Sequence, residues 1–300
     1  MVRPAGFQFN PQTAASNSFQ QLPGSSGELE AQKSALTEFD GLAAALRRAG
    51  VQVLAAADTG LPVKPDAVFP NNWVSFHRDG TVALYPMLAP NRRLERREEI
   101  LRQVVTDGSF RVSRTVDLTH REAEGKFLEG TGSVVLDRIH RVAYASPSPR
   151  TDLDVLGEFA QQLDYDLITF DARGPTGQPV YHTNVVMAVG ARFAVICGEA
   201  IAQPQHRAAV FSKLRATEHE IVEISMRQML EFAANILELA PEGGNLIALS
   251  DTAWGSFDAA QRRTLERHAA VLPASIPTIE RLGGGGVRCM LAEIHLPKRE

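Results

Sequence analysis

The sequence predicts an α/β fold: a cyclic, pseudo-fivefold array of five strand–strand–helix–strand modules, closed by pairing of the two chain ends. Three observations carry that reading. Helical patterns recur at intervals of roughly 50 to 65 residues, slightly longer than the repeats of about 20 to 50 residues that mark solenoids, propellers and arrays. Around each of them the same order returns, with two short apolar stretches before the helix and one after it. The last module ends without its helix and outer strand, and the N-terminal segment supplies an unassigned strand, helix and strand. Closure of this kind removes exposed sheet edges. The competing architecture is an ordinary α/β domain of unrelated βαβ units.

Residues 2–9 carry β-favouring apolar side chains and are expected to form a strand, and 10–27 reads as a Pro-, Gln-, Asn-, Ser- and Gly-rich loop. Leu36, Phe39, Leu42 and Leu46 fall at helical spacing in a segment that runs from Glu28 to a stop at Gly50. A strand is expected over 51–55. The first full module has strand-like residues 66–76, interrupted by Pro70-Asn71-Asn72, then 81–85 across the Asp79-Gly80 turn, a helix over 92–105 and a strand over 110–118. The second places strands at 133–136, 141–145 and 166–170 around a helix at 152–163. The third has 185–189 and 193–197 turned at Gly190, a helix at 205–214 and a strand at 220–224. The fourth has 236–239, 246–249, a helix at 257–268 and a strand at 276–279. Four glycines, Gly283 to Gly286, then lead through Cys289 into a final strand over 290–296. A run without Cβ atoms lets the backbone pass close to another group or take positive φ.

Composition narrows the function. The 300 residues are 44% hydrophobic and 22% charged, which suits a globular protein with a proper core, taken here as one domain spanning 1–300. With 31 basic against 35 acidic residues the net charge is −4, and no basic block is interleaved with aromatics, which argues against a nucleic-acid partner. No stretch approaches eighteen uninterrupted apolar residues and the N-terminus lacks a signal pattern, so no membrane partner is expected. Two cysteines, Cys197 and Cys289, build neither a disulfide framework nor a zinc site. The histidines show no ligand spacing, so no metal or cofactor is expected, and the compartment expected is a reducing cytoplasm. A homo-oligomer is compatible with the sequence but not fixed by it.

The chemistry-bearing residues stand just ahead of an apolar strand in each module. These are Asn71-Asn72, Glu129-Gly130, His182-Thr183-Asn184, Gly243-Gly244-Asn245 and Cys289. In a pseudo-fivefold array, equivalent positions converge on one pocket. A thiol, an imidazole and a carboxylate meeting there supply a nucleophile, a proton carrier and an orienting anion. Cys289 as an inert core residue, His182 as a structural histidine and Glu129 as a turn cap are the plain alternatives. Cys197, inside an apolar strand, reads as core.

Four motifs make the chain resemble a known family: Phe69-Pro70-Asn71-Asn72-Trp73, Leu128-Glu129-Gly130-Thr131-Gly132, Tyr181-His182-Thr183-Asn184 and Gly285-Gly286-Val287-Arg288-Cys289-Met290. It resembles the arginine deiminase/amidinotransferase superfamily with its five-bladed α/β propeller (pentein) fold, and most of all the branch of citrulline-utilisation hydrolases. The resemblance implies a catalytic set of Cys289, His182 and Glu129. It further implies that Asn72 and Asn184 occupy positions where arginine-consuming members carry aspartates that grip the guanidinium. An amide offers a donor and an acceptor to a neutral group, whereas a buried carboxylate suits a cation. A ureido substrate is therefore expected, with citrulline giving ornithine, ammonia and carbon dioxide. The open alternatives are a guanidino-modifying enzyme (arginine deiminase, dimethylarginine hydrolase or amidinotransferase) and a non-catalytic binding protein on the same fold. Asn71, Asn72, Asn184 and Asn245 are candidate substrate ligands. Arg92 or Arg96, four apart on one predicted helical face, is the candidate for a substrate carboxylate. Arg288 is a candidate neighbour that lowers the thiol pKa.

Overall fold

Four three-stranded sheets repeat one topology in the computed structural model, which describes residues 1–24 and 27–299. Positions 25 and 26 of the expected loop lie outside the described residues. The short pair β1 (Val2–Arg3) and β2 (Ala56–Ala57) runs parallel, joined by the helix Glu28–Arg48. The first full sheet contains β3 (Val74–Phe76), β4 (Thr81–Leu84) and β5 (Arg114–Asp117), and the second β6 (Val134–Asp137), β7 (Val142–Ala145) and β8 (Asp166–Thr169). The third contains β9 (Met187–Val189), β10 (Phe193–Ile196) and β11 (Glu220–Glu223), and the fourth β12 (Leu237–Leu239), β13 (Leu246–Ser250) and β14 (Ala270–Ala274). Each begins as an antiparallel hairpin, and a helical crossover then lays the third strand parallel to the middle one. A parallel partner cannot be reached by a tight turn, so the crossover helices follow from the pairing. The result is a mixed α/β fold of small separate sheets, with no sheet closed on itself among the described residues.

Helices bury one stripe against these sheets. Phe39, Leu42 and Leu46 of Glu28–Arg48 pack in one apolar cluster with Ile276, Ile279 and Leu282. Val155, Leu156, Phe159 and Leu163 of the helix Leu153–Leu163 do the same against Ala143 and Ala145 of β7. The chain ends meet their neighbours as well. The Met1 amine donates to the Leu54 carbonyl, and Arg111 N–H donates to the Pro297 carbonyl at 2.8 Å.

Five expected elements are corrected. Residues 276–279 are not a strand: β14 lies earlier, and Pro277–Gly283 is a helix whose Ile279 and Leu282 share a face. Pro277 at the first helical turn fits there because its missing N–H has no helical partner to lose. The final strand over 290–296 is absent, replaced by a 3₁₀ turn, Val287–Met290, and irregular chain. Residues 51–55 form no strand, the pairing falling on β2 instead. The strand over 2–9 stops at Arg3, where Pro4 removes a donor. The helix over 92–105 is split into Pro90–Arg93 and Glu98–Thr106, which turns Arg92 and Glu95 inward while Leu94 is exposed.

The segments ahead of the first strands share a local form. Pro70–Asn72, Thr183–Val185 and Val287–Met290 are 3₁₀ turns, and Gly130–Ser133 is one helical turn. Gly130–Ser133 touches both Pro70–Asn72 and Thr183–Val185, and Pro70–Asn72 touches Val287–Met290.

Candidate active site

Glycines make this convergence sterically feasible. Gly130 has φ +48°, and a Cβ there would lie 2.3 Å from the Asn71 carbonyl oxygen. A Cβ on Gly132 would lie 2.5 Å from Asn72 Nδ2 and 2.7 Å from His182 Nδ1. Gly284 takes φ +64°, and a Cβ on Gly286 would meet Asn235 Oδ1 at 2.8 Å. Glycine alone tolerates these approaches.

The thiol of Cys289 is buried at the end of that run. Its Sγ accepts from Asn235 Nδ2 at 3.3 Å and Asn184 Nδ2 at 3.4 Å. Burial pushes the thiol pKa up, while the two amide donors, the Arg288 charge and a Gly286 contact pull the other way. Burial wins, so the expected activation by Arg288 is not realised in this state. The Arg288 guanidinium is committed to the Leu291 carbonyl at 2.9 Å and to Glu293 at 3.2 Å.

His182 and Glu129 form a buried pair, Nε2 to Oε2, at 2.9 Å. Glu129 Oε1 accepts from Leu88 N–H at 3.1 Å, and Oε2 also faces Arg150 at 3.4 Å and Arg92 at 3.7 Å. Burial alone would raise the Glu129 carboxyl, but Arg150, His182 and Arg92 together hold it well below the usual carboxylate range. For His182, burial pushes the pKa down to about 4 against the pull of Glu129. The imidazole is therefore neutral near pH 7, with Nε2–H donated to the carboxylate and Nδ1 left as the base. This fixing of one tautomer by an anion is the usual way such a ring is oriented.

Around this pair lies a polar wall. Arg92 makes a bidentate pair with Glu95 at 2.9 and 3.0 Å and donates to Asn72 Oδ1 at 2.8 Å. Arg150 reaches the Thr13 carbonyl at 3.0 Å and Ser16 Oγ at 2.8 Å, and its guanidinium lies 5.1 Å from the centre of the Tyr181 ring. The Tyr181 hydroxyl donates to the Gly284 carbonyl. Both polar atoms of the Asn71 side chain, together with Asn72 Nδ2, Asn184 Oδ1 and Asn235 Oδ1, are buried without a hydrogen-bond partner among the described residues. Unpaired buried amides are costly, and they cluster where a polar ligand would meet them.

Of the expected site residues, the fold brings together Cys289, His182, Glu129, Asn71, Asn72, Asn184 and Arg92. It excludes two. Arg96 pairs with Glu122 at 2.6 Å because the predicted helix breaks between it and Arg92. Asn245 is exposed and bonded to Glu238 at 2.7 Å. Its place is taken by Asn235, which stands two residues ahead of β12 as Asn72 stands two ahead of β3; Asn245 precedes the middle strand of its sheet. That offset is readable once the first strand of the module is used consistently. Arg150 and Glu95 carry no such signal, since tertiary packing alone turns them inward. The fold also gathers Asp137, His140 and His219, three potential metal ligands, where sequence spacing predicts none.

Comparisons with known proteins place the chain in a family. Residues 3–296 match the family described as N,N dimethylarginine dimethylhydrolase, eukaryotic. Among solved structures the chain is similar to the N-terminal domain of an ArgZ variant covalently bound to a reaction intermediate. The TM-score is 0.73 at 16% identity, covering 99% of this chain and 98% of that one. ArgZ is described as an arginine dihydrolase from the ornithine–ammonia cycle in Cyanobacteria. An AgrE variant in complex with L-arginine gives 0.75 at 16% identity; the chain spans 40% of that longer protein. A dimethylarginine dimethylaminohydrolase variant, as its S-methyl-L-thiocitrulline adduct, gives 0.63 at 16% identity and 96% coverage of both chains. These identities speak for the fold. No curated protein sequence matches the chain.

Proposed function

For this chain, which belongs to the eukaryotic N,N dimethylarginine dimethylhydrolase family of the pentein superfamily, we propose a cofactor-free thiol hydrolase breaking a C–N bond of a ureido amino acid, with citrulline the preferred substrate. The observation that carries the ureido reading is the set of groups around the thiol. Amides of Asn184 and Asn235 meet Sγ, and the one buried carboxylate touching His182 is already matched by Arg150 and Arg92. A neutral carbonyl and its N–H groups suit such partners, whereas a guanidinium would enter without an unmatched anion.

In the proposed reaction the Cys289 thiol passes its proton to His182, and Sγ forms a bond to the ureido carbon. The carbonyl oxygen takes up the electron pair beside the Asn amides. When the tetrahedral centre collapses, one C–N bond breaks and His182 returns the proton to the leaving amine. His182 then deprotonates a water that attacks the thiocarbamate, the C–S bond breaks to return the Cys289 thiol, and the carbamic acid released breaks its remaining C–N bond by losing carbon dioxide. The balance is citrulline plus water giving ornithine, ammonia and carbon dioxide. Glu129 holds the imidazole through Nε2. The five sheets are read as five blades about one axis within a single domain, an arrangement that would bring turns from four modules to one thiol.

Family membership favours a second reading, hydrolysis of a guanidino group by the same thiol. The test is product release from citrulline, arginine and dimethylarginine side by side, with Cys289→Ala as control. Ornithine from citrulline alone supports the ureido reading, and the double change Asn72→Asp with Asn184→Asp is then expected to lower that activity at least tenfold. Citrulline formed from arginine or dimethylarginine overturns the ureido preference and keeps the thiol mechanism. Activity that survives Cys289→Ala overturns both.

A further inference from the structure

Outside the thiol site, the fold brings one group of metal-ligating side chains together from two sheets. Asp137 closes β6, His140 lies in the turn to β7, and His219 immediately precedes β11. One ligand atom from each lies within 4.8 Å of the others. Asp137 is 2% exposed, and among the described residues it forms no ion pair with a lysine or arginine. Its Oδ1 accepts from the backbone N–H groups of Ile139 and His140 at 3.1 and 2.9 Å. Its Oδ2 faces only the imidazoles, His140 Nδ1 at 2.8 Å and His219 Nε2 at 3.8 Å. A buried carboxylate with no permanent cation beside it is costly.

The surroundings fit a bound cation. His219 Nδ1 lies 2.9 Å from Thr217 Oγ1, which can pass its own hydrogen to the Lys213 carbonyl at 2.9 Å. With Nδ1–H donated to Thr217, the Nε2 lone pair is left free, 3.8 Å from Asp137 Oδ2, and a hydrogen bond from the other ring nitrogen is the outer-shell arrangement that metal-bound histidines show. In the other tautomer Nε2–H donates to the Gly190 carbonyl at 3.1 Å, an oxygen that is itself a potential ligand. Asp137 and Gly190, though neither His140 nor His219, line a cavity of about 1160 Å³.

We propose that Asp137, His140 and His219 bind one divalent transition-metal ion of the zinc class. Two imidazoles and a carboxylate suit zinc, cobalt or nickel, whereas magnesium and calcium prefer all-oxygen shells. The ion ties the β6–β7 turn to the entry of β11, linking two neighbouring sheets, and plays no part in the thiol chemistry. Binding to the folded state alone stabilises it by mass action.

The test uses the full chain freed of metal by a chelator and titrated with Co²⁺ and then Zn²⁺. The expected result is one Co²⁺ per chain with visible absorption bands, displacement by Zn²⁺, and a higher Tm with metal. Loss even of an outer-shell partner typically costs about 10–100-fold in affinity, so removal of a direct ligand by His140→Asn, on the half-exposed turn, is expected to weaken binding by at least about a hundredfold. Circular dichroism checks that His140→Asn and His219→Gln remain folded, and if the buried change unfolds the chain, His140→Asn decides. Cys289→Ser is expected to leave binding intact. Absence of stoichiometric binding, binding unchanged by His140→Asn, or binding lost with Cys289→Ser each overturns the proposal.

Discussion

At the scale of single residues, the state of the thiol is decided by a contest between burial and donors. Two amide N–H groups stabilise a thiolate, but desolvation of Cys289 outweighs them and holds its pKa up. A raised pKa keeps the sulfur protonated until the pH passes above the ordinary thiol range near 8.5. Alkylation by iodoacetamide is therefore expected to accelerate along a limb above that value. Removing one donor with Asn235→Ala moves the limb further up, because the thiolate loses a partner while the thiol loses little. The rate of alkylation against pH measures this, and a limb unmoved or lowered by the change contradicts the role given to Asn235. His182, neutral because of burial, is already in the form that accepts the thiol proton.

At the scale of elements, the strand-preceding turns do the positioning and glycine is their constraint. The stretch Gly283–Gly286 threads between the Phe69 ring, the loop carrying Asn17 and Gln20, and the Asn235 side chain. At Gly284 the left-handed φ of +64° is unfavourable for any residue with a Cβ, and that Cβ would lie 2.8 Å from the Gln20 backbone nitrogen. Gly284→Ala is expected to cost roughly 1–3 kcal/mol, the usual size of such strain, and to displace the thiol that follows. Thermal unfolding and the Cys289 alkylation rate, measured together, test this; a variant with wild-type values for both removes the constraint. The helix break between Arg93 and Glu98 has a comparable role, since it folds Arg92 onto Glu95 and presents it to Asn72.

At the scale of the whole molecule, buried neutral histidines and paired carboxylates set the response to acid. Burial, aided by Arg138, pushes His77 down to about 3, and burial pushes His182 and His295 down to about 4. The unfolded chain titrates these rings near 6.5 and so binds more protons below that pH. Stability is therefore expected to fall as pH drops from about 6.5 towards the folded values, by at most about 1.4 kcal/mol per pH unit for each ring. Although burial opposes it, Arg288 and Arg138 hold Glu293 down to about 2. Its contribution is present above the unfolded carboxylate range near 4.3 and is lost as pH falls through 2. Tm followed from pH 7 to 3 reads the sum, and His77→Gln is expected to flatten the slope below 6.5. An unchanged slope in that variant contradicts the assignment. No helix among the described residues is long and apolar enough to cross a membrane.

The sequence by itself determined the periodic order of strands and helices, because alternation and apolar spacing are local properties that short sheets and crossover helices preserve. It also marked Cys289, His182, Glu129, Asn72 and Asn184, since each stands near a glycine or turn residue ahead of an apolar stretch, although the stretch after Cys289 forms no strand. Only the tertiary structure decided what those residues meet. Asn235 replaced Asn245 because the first strand of a sheet, and not its middle strand, leads from the converging turns. Arg150 arrived from the turn after β7, and Arg92 was separated from Arg96 by a break that no helical period records. Asp137, His140 and His219 came together only because β6 and β11 belong to neighbouring sheets. Partners brought together by packing leave no spacing in the chain, and burial, which fixes the protonation of the thiol and the imidazole, is a property of the packed molecule alone.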